Sequence, residues 1–227
     1  MNIHILMLIL VLVAFVLTIW AQFRVKGSFK KWAKVEASAG MTGQEVARRI
    51  LDRNGLRDVP VEPVRGMLTD HYDPISRTVR LSEPVYNSNS ISAVSVAAHE
   101  CGHAIQHKEA YGALVLRHRM FPVANIASGV APWLLLAGLF LQMTGLFLIG
   151  IVLYAAAVAF QVVTLPVEFN ASSRAKNIMI KEGFIRNIEE RGVNKVLGAA
   201  ALTYVASTLY AVLELIRFIL LFLSSDE

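Results

Sequence analysis

Two histidines four residues apart, with a glutamate directly after the first, form the segment His99-Glu100-Cys101-Gly102-His103. No other segment of the chain points as directly to chemistry. Positions i and i+4 share a helix face, so His99 and His103 can offer two imidazoles to one ion while Glu100 lies beside them. Two neutral imidazoles leave room in a tetrahedral zinc shell for a third ligand and a water. A carboxylate placed like Glu100 can take that water's proton and pass it to a leaving amine, which is the chemistry of peptide-bond hydrolysis. An ordinary buried histidine pair is the plainer reading of the same spacing. The preceding Ser92-Ala93-Val94-Ser95-Val96-Ala97-Ala98 is small and apolar, however, so the helix can be buried with both imidazoles facing one pocket.

The third ligand is not supplied by the next turn. A metzincin continuation requires Gly where Gln106 stands and His where Glu109 stands. Glu109 would ligate only if the helix bent, and His107 is rotated off the ligand face. Glu168 is the stronger candidate. It lies in Leu165-Pro166-Val167-Glu168-Phe169-Asn170-Ala171, where Pro166 is expected in the first turn of a new helix.

Whether Glu168 can reach the histidines depends on the elements around it. The chain has 227 residues, of which 55% are hydrophobic, and its mean hydropathy is +0.52. That is far more apolar than an average soluble domain. Three runs, Ile3 to Phe23, Phe121 to Leu165 and Leu197 to Leu223, each contain the roughly 20 apolar residues that a helix needs to cross a bilayer. The middle run is about twice that length, with Gln142-Met143-Thr144-Gly145 near its centre, and reads as a helical hairpin. The expected fold is therefore mainly α, a multi-span membrane protein with spans at residues 3–23, 121–142, 143–165 and 197–223. Residues 24–120 and 166–196 form an α+β metalloprotease unit with a zincin-like helix and a small strand or hairpin, and residues 1–227 act as a single membrane unit. The first run lacks a basic leader and a small-residue cleavage site, so it is expected to remain as an anchor.

Basic residues set the orientation. Arg24, Lys26, Lys30, Lys31 and Lys34 follow the first run, Arg117 and Arg119 precede the second, and Arg174, Lys176, Lys181, Arg186, Arg191 and Lys195 lie between the third and fourth spans. Met1-Asn2-Ile3-His4 and Ser224-Ser225-Asp226-Glu227 carry no Lys or Arg. The positive-inside bias puts both large loops, and the active site, in the cytoplasm and both termini outside. Glu168 then returns to the same membrane face as His99 across the hairpin. Arg217 strains this scheme from within span four, and Glu214 three residues earlier can pair with it. The net charge of +5 reflects residues crowded beside spans, without the aromatic-interleaved patch of a nucleic-acid binder. A single cysteine excludes an internal disulfide framework and a Cys-only zinc site.

Within the first loop, Thr42-Gly43-Gln44-Glu45 is a capping box that opens an amphipathic helix ending at Asn54-Gly55. Val59 to Val64 holds two prolines and, as a strand, belongs at a sheet edge. Asp70-His71-Tyr72-Asp73-Pro74 reads as a turn, and Arg77 to Ser82 as a short strand. Ser88, Asn89 or Ser90 can cap a helix from Ile91 to about His107.

Taken together, Thr69 to Pro74, Arg77 to Ser82, Val96 to His107 and Glu168 to Ser172 resemble the YugP-like membrane zinc metallopeptidases, in matching order over nearly all of the non-spanning sequence. The resemblance implies a gluzincin-type peptidase similar in layout to the HtpX-type and CAAX-prenyl endopeptidases, with a membrane hairpin between the two-histidine helix and a ligand glutamate. Those relatives read Glu-x-x-Ala-Asp, the last acid steadying a ligand. Ser172 stands in its place here, and Asn170 is the nearest polar substitute.

The remaining candidates are weaker. His71, Tyr72 and Tyr204 are candidate transition-state donors; Tyr210 and Tyr111 are comparable to Tyr204, and helix packing or interfacial anchoring is the plainer reading of all three tyrosines. Thr78, Val79, Arg80 and Leu81 could hold an extended peptide along a sheet edge. Cys101 beside the ligands raises a redox role, against the simpler one of a small buried residue. Gly102 allows another element to approach the ligand helix. Pro122, Asn125, Ser128 and Pro132 make the second span polar enough at its start to line a water path. The expected function is a zinc-dependent membrane endopeptidase with one zinc ion, a polypeptide substrate and a lipid bilayer as surroundings. A catalytically silent metal-binding scaffold is the alternative. A site-two-type protease would need the two-histidine helix inside a span and an Asp ligand, and a metal transporter would need ligands at mid-membrane; neither pattern is present.

Overall fold

The computed structural model describes residues 2–186 and 188–224. It is mainly helical: α1 (Ile3–Trp32), α2 (Gly43–Arg53), β1 (Val61–Val64), β2 (His71–Asp73), β3 (Thr78–Ser82), α3 (Glu83–Tyr86), α4 (Ile91–Lys108), α5 (Gly112–Phe140), α6 (Thr144–Lys181) and α7 (Glu190–Ser224). Among the described residues, four helices are long and apolar enough to cross a membrane, and these are α1, α5, α6 and the helix that ends at Ser224. At 1.5 Å per residue, the 38-residue α6 is about 57 Å long, well beyond the ~30 Å hydrocarbon core. Its polar C-terminal half therefore stands outside the apolar run.

The chain divides into two compact units. One comprises Met1–Gln22, Val115–Pro166 and Thr203–Glu227; the other comprises Phe23–Leu114 and Val167–Leu202. The first holds the apolar helices. Its side chains face outward: Val16 is 63% exposed, Trp133 73% and Phe140 79%. So large an apolar exterior fits contact with lipid. The α5–α6 hairpin is closed by small residues. A Cβ on Gly138 would meet the Phe147 backbone at 2.5 Å, and one on Gly150 would meet Leu135 at 2.9 Å, the close approach that holds helices together where no hydrophobic effect drives them. Phe218 packs edge-on against Phe147 and Tyr154. Arg217 donates to Glu214 at 2.6 Å, the i,i+3 pair expected from the sequence. Ser225 to Glu227, part of the tail used to orient the chain, lie outside the described residues.

The second unit is built on a three-stranded sheet in the order β1-β3-β2. β1 runs parallel to β3, with Val61 opposite Val79, and β2 runs antiparallel, with Tyr72 opposite Val79. The proline-bearing strand is at an edge, as expected. Two expectations are corrected here. The segment Thr78, Val79, Arg80 and Leu81, expected to offer an edge to substrate, is the central strand. Val79 and Arg80 are paired on both sides, by β1 and β2, while Thr78 pairs with β2 and Leu81 with β1; Val79 and Leu81 are fully buried, so the segment is not an edge strand. The expected turn at Asp70 to Pro74 is instead largely strand β2, and the reversal occurs over residues 74–77. Asp73 caps that reversal, accepting from Ile75 N at 2.9 Å and Ser76 Oγ at 2.7 Å. Arg77 adopts φ 52°.

The local signals for α2 and α4 are realised. Thr42 and Glu45 form the reciprocal capping box of α2, and Ser90 caps α4 by accepting from Ala93 N. The buried face of α2, Val46, Ile50 and Leu51, joins Val79, Leu81, Val94, Met179 and Phe184 in one core. A third correction concerns Pro166, which does not open a new helix. It lies inside the continuous α6. Proline removes one rung of the ladder, a loss that long membrane helices tolerate.

Candidate metal centre

The two-histidine helix is held by packing that leaves its histidines on the α6 side. Ala97, Ala98, Cys101 and Ala104 of α4 are buried in the core of the second unit. Ser92 Oγ donates to the Phe29 carbonyl at 2.8 Å, and Cys101 Sγ lies 3.6 Å from the Ala47 carbonyl. Burial pushes the Cys101 thiol well above its usual range, which keeps it neutral and unreactive. Gly102 meets α6 directly. A Cβ there would sit 2.8 Å from the Ala171 carbonyl oxygen and 3.2 Å from its Cα. Only a residue without a side chain lets the two helices come this close, and Ala171 is one turn from Glu168.

His99, His103 and Glu168 each contribute one donor atom to a group in which all three lie within 4.8 Å of one another. His99 Nε2 is 3.3 Å and His103 Nε2 3.7 Å from the same Glu168 oxygen, Oε2. The imidazole rings stand nearly perpendicular, at 88°, with centroids 4.8 Å apart. Glu168 is 3% exposed and His103 9%.

The far side of each ring is also held. His99 Nδ1 lies 3.1 Å from Ser172 Oγ, and His103 Nδ1 lies 3.0 Å from Gln106 Oε1. Gln106 decides which nitrogen of His103 carries the proton. Its amide nitrogen donates to the Val167 carbonyl and to Asn170 Oδ1, both at 2.9 Å. The orientation of Asn170 is fixed in turn by Arg174 Nε, which donates to the same Oδ1 at 2.7 Å, and Arg174 pairs with Glu109 at 2.7 Å. Gln106 Oε1 is thus left to accept from His103 Nδ1–H, which turns the Nε2 lone pair toward Glu168.

This donor set fits zinc. Two imidazole Nε2 atoms and one carboxylate oxygen converge, each ring backed by a hydrogen-bonding partner of the kind that orients metal ligands. Burial alone would disfavour a charged His103, yet the bond that Nε2 donates to Glu168 once it too is protonated raises the pKa above the usual value: the buried carboxylate draws positive charge to this point. Glu100 is 8% exposed. Burial raises its pKa, while His99 and His103 oppose that shift and Glu168 and Asp70 add to it.

The other sequence candidates are not among the three converging donors. Tyr72 Oη is 2.8 Å from His107 Nδ1, so Tyr72 ties β2 to the end of α4. His71 Nδ1 faces the Thr69 carbonyl at 2.8 Å from an exposed position. Neither is among the three converging donors. Tyr204 belongs to the apolar unit. Glu109 is engaged by Arg174. The residue that sequence reasoning missed is Gln106. Its signal was its position three residues after His103, on the same helix face.

The chain matches the family described as "Putative neutral zinc metallopeptidase" over residues 7–223. It is 66% identical over 222 residues, 98% of this chain and 99% of the other, to a protein of Bacillus subtilis (strain 168) named "Putative membrane protease YugP". No solved structure matches the chain.

Proposed function

Because the chain belongs to this family of neutral zinc metallopeptidases, we propose that it is a gluzincin-type membrane endopeptidase that cuts membrane or membrane-proximal polypeptides at the cytoplasmic face. The observation that carries this reading is the convergence of His99 Nε2, His103 Nε2 and Glu168 Oε2 with Glu100 buried beside them. One zinc ion held by these three residues would lower the pKa of water to about 7 and polarise the scissile carbonyl.

The chain's own residues supply the rest. Glu100 takes a proton from the attacking water on its carboxylate and returns it to the departing nitrogen, so the carboxylate is regenerated in each cycle. Gln106 and Ser172 hold the rings of His103 and His99, keeping both Nε2 atoms aimed at Glu168. Ser172 fills the role that the resemblance gives to an acid. Asn170 acts one step further out, through Gln106. The cytoplasmic placement rests on the Lys and Arg residues beside the spans. On this reading residues 1–227 work as a single metallopeptidase.

The test is zinc content and cleavage of an unfolded protein by the purified full chain. Glu100→Gln is expected to keep its zinc and lose on the order of 10²- to 10⁴-fold in cleavage rate; full cleavage by this variant would sink the assignment. Glu168→Ala is expected to purify without zinc and without activity. Wild-type zinc affinity in that variant would mean the third ligand lies elsewhere.

A further inference from the structure

Four cations converge between α1 and α7, away from the metal centre. Arg24 and Lys31 of α1 and Arg191 and Lys195 of α7, with Ser28 and Trp32, line a cleft of about 470 Å³. Its walls are fixed. Ser28 Oγ donates to the Lys195 carbonyl at 3.0 Å, and a Cβ on Gly192 would lie 2.7 Å from the Trp32 ring, so the two helices are in close contact here. All four cations are exposed.

The acids beside the cleft are already engaged. Glu189 accepts from Ser38 N and Arg186 N, both at 2.7 Å, and Glu190 pairs with Lys176 at 2.6 Å. Among the described residues, Lys31, Arg191 and Lys195 form no ion pair with a carboxylate; Lys31 lies 5.6 Å from the centre of the Trp32 ring. Like charges that line one cleft repel one another, and an anion bound among them would offset that repulsion.

Position along the helices identifies the anion. Arg24 directly follows Phe23, the last residue of the first apolar run, and Lys195 stands two residues before Leu197, where the last run begins. At 1.5 Å per residue both lie within about 3 Å of the apolar boundary, and Lys31 and Arg191 lie about 9–12 Å from it. The cleft therefore spans the depth of the headgroup layer. Basic pockets between spanning helices at this depth suit anionic lipid headgroups.

We propose that this cleft binds the headgroup of an anionic phospholipid, with the phosphate between Arg24 and Lys195 and the outer part of the headgroup between Lys31 and Arg191. The site is separate from the metal centre and does not depend on peptidase activity. A bound headgroup would neutralise the facing cations and join α1 to the start of α7.

The full chain in nanodiscs of phosphatidylcholine, with or without phosphatidylglycerol, tests this by native mass spectrometry of retained lipid and by Tm. Wild type is expected to retain phosphatidylglycerol in preference to phosphatidylcholine and to gain Tm from it. The triple variant Lys31→Gln/Arg191→Gln/Lys195→Gln should bind it more weakly, on the order of a hundredfold. A control triple variant, Arg49→Gln/Arg57→Gln/Arg65→Gln, removes the same charge elsewhere and should bind as wild type does. Equal retention by all three proteins, or equal loss in both triples, overturns the proposal. So does protection by inorganic phosphate with no preference for phosphatidylglycerol, which would make the cleft a site for soluble anions. If the first triple fails to fold in phosphatidylcholine, Arg191→Gln and Lys195→Gln are read singly. Each is expected to lose about fivefold, and no loss in either overturns the site.

Discussion

Gln106 illustrates how a neutral side chain can govern a metal ligand. It is fully buried, and its amide nitrogen and oxygen both have partners. A buried polar group left without a partner costs about 1–3 kcal/mol. Gln106→Leu removes the amide at similar volume and strands His103 Nδ1–H. The expected outcome is roughly 10- to 100-fold weaker zinc binding, measured by competition with a chelator, with Glu100 untouched. Unchanged affinity would show that the Gln106 chain does not hold His103. Gln106→Glu separates shape from proton bookkeeping, since its carboxylate can still accept from Nδ1–H but cannot donate to Val167 or Asn170.

At the scale of elements, the site depends on how closely α4 and α6 approach. Gly102 sets that distance, because its missing Cβ would lie 2.8 Å from backbone that cannot rotate away. Gly102→Ala must push the helices apart by several tenths of an ångström. The expected loss is about 1–3 kcal/mol of stability, read as a lower Tm, together with weaker zinc binding as Glu168 moves away from the histidines. Gly198→Ala is the control. Nothing lies within 4 Å of its Cβ position, so its Tm should hold or rise slightly through helix propensity. If both variants behave alike, the helix contact does not set the geometry of the centre. Glu168 and Ala171 lie one turn apart on the same continuous helix, α6, so a shift at the Gly102 contact is felt at Glu168.

At the scale of the whole molecule, the four helices long and apolar enough to cross a membrane among the described residues and the distribution of Lys and Arg make orientation testable. A reporter active only in the cytoplasm, fused after Glu227, is expected to be silent, and the same reporter inserted between Arg57 and Asp58 is expected to be active. Activity at the C-terminus would overturn the proposed orientation and, with it, the proposed cytoplasmic placement of the metal centre.

The sequence alone determined the two-histidine helix, a cap for it within Ser88 to Ser90, the capping box at Thr42 and the apolar runs, because each is a local pattern whose meaning depends on residues within a few turns. It also singled out Glu168, since charge bias and hairpin length are themselves written along the chain. It misjudged Thr78 to Leu81 and Pro166. A strand's place in a sheet is decided by partners distant in sequence, and a proline breaks a helix only if packing does not hold the helix on both sides. The convergence of both Nε2 atoms on Glu168, the Gln106–Asn170–Arg174 chain behind His103 and the contact of Gly102 with Ala171 join residues more than 60 positions apart. Only the packing of α4 against α6 could decide them, because hydrogen-bond geometry follows from where backbones meet in space.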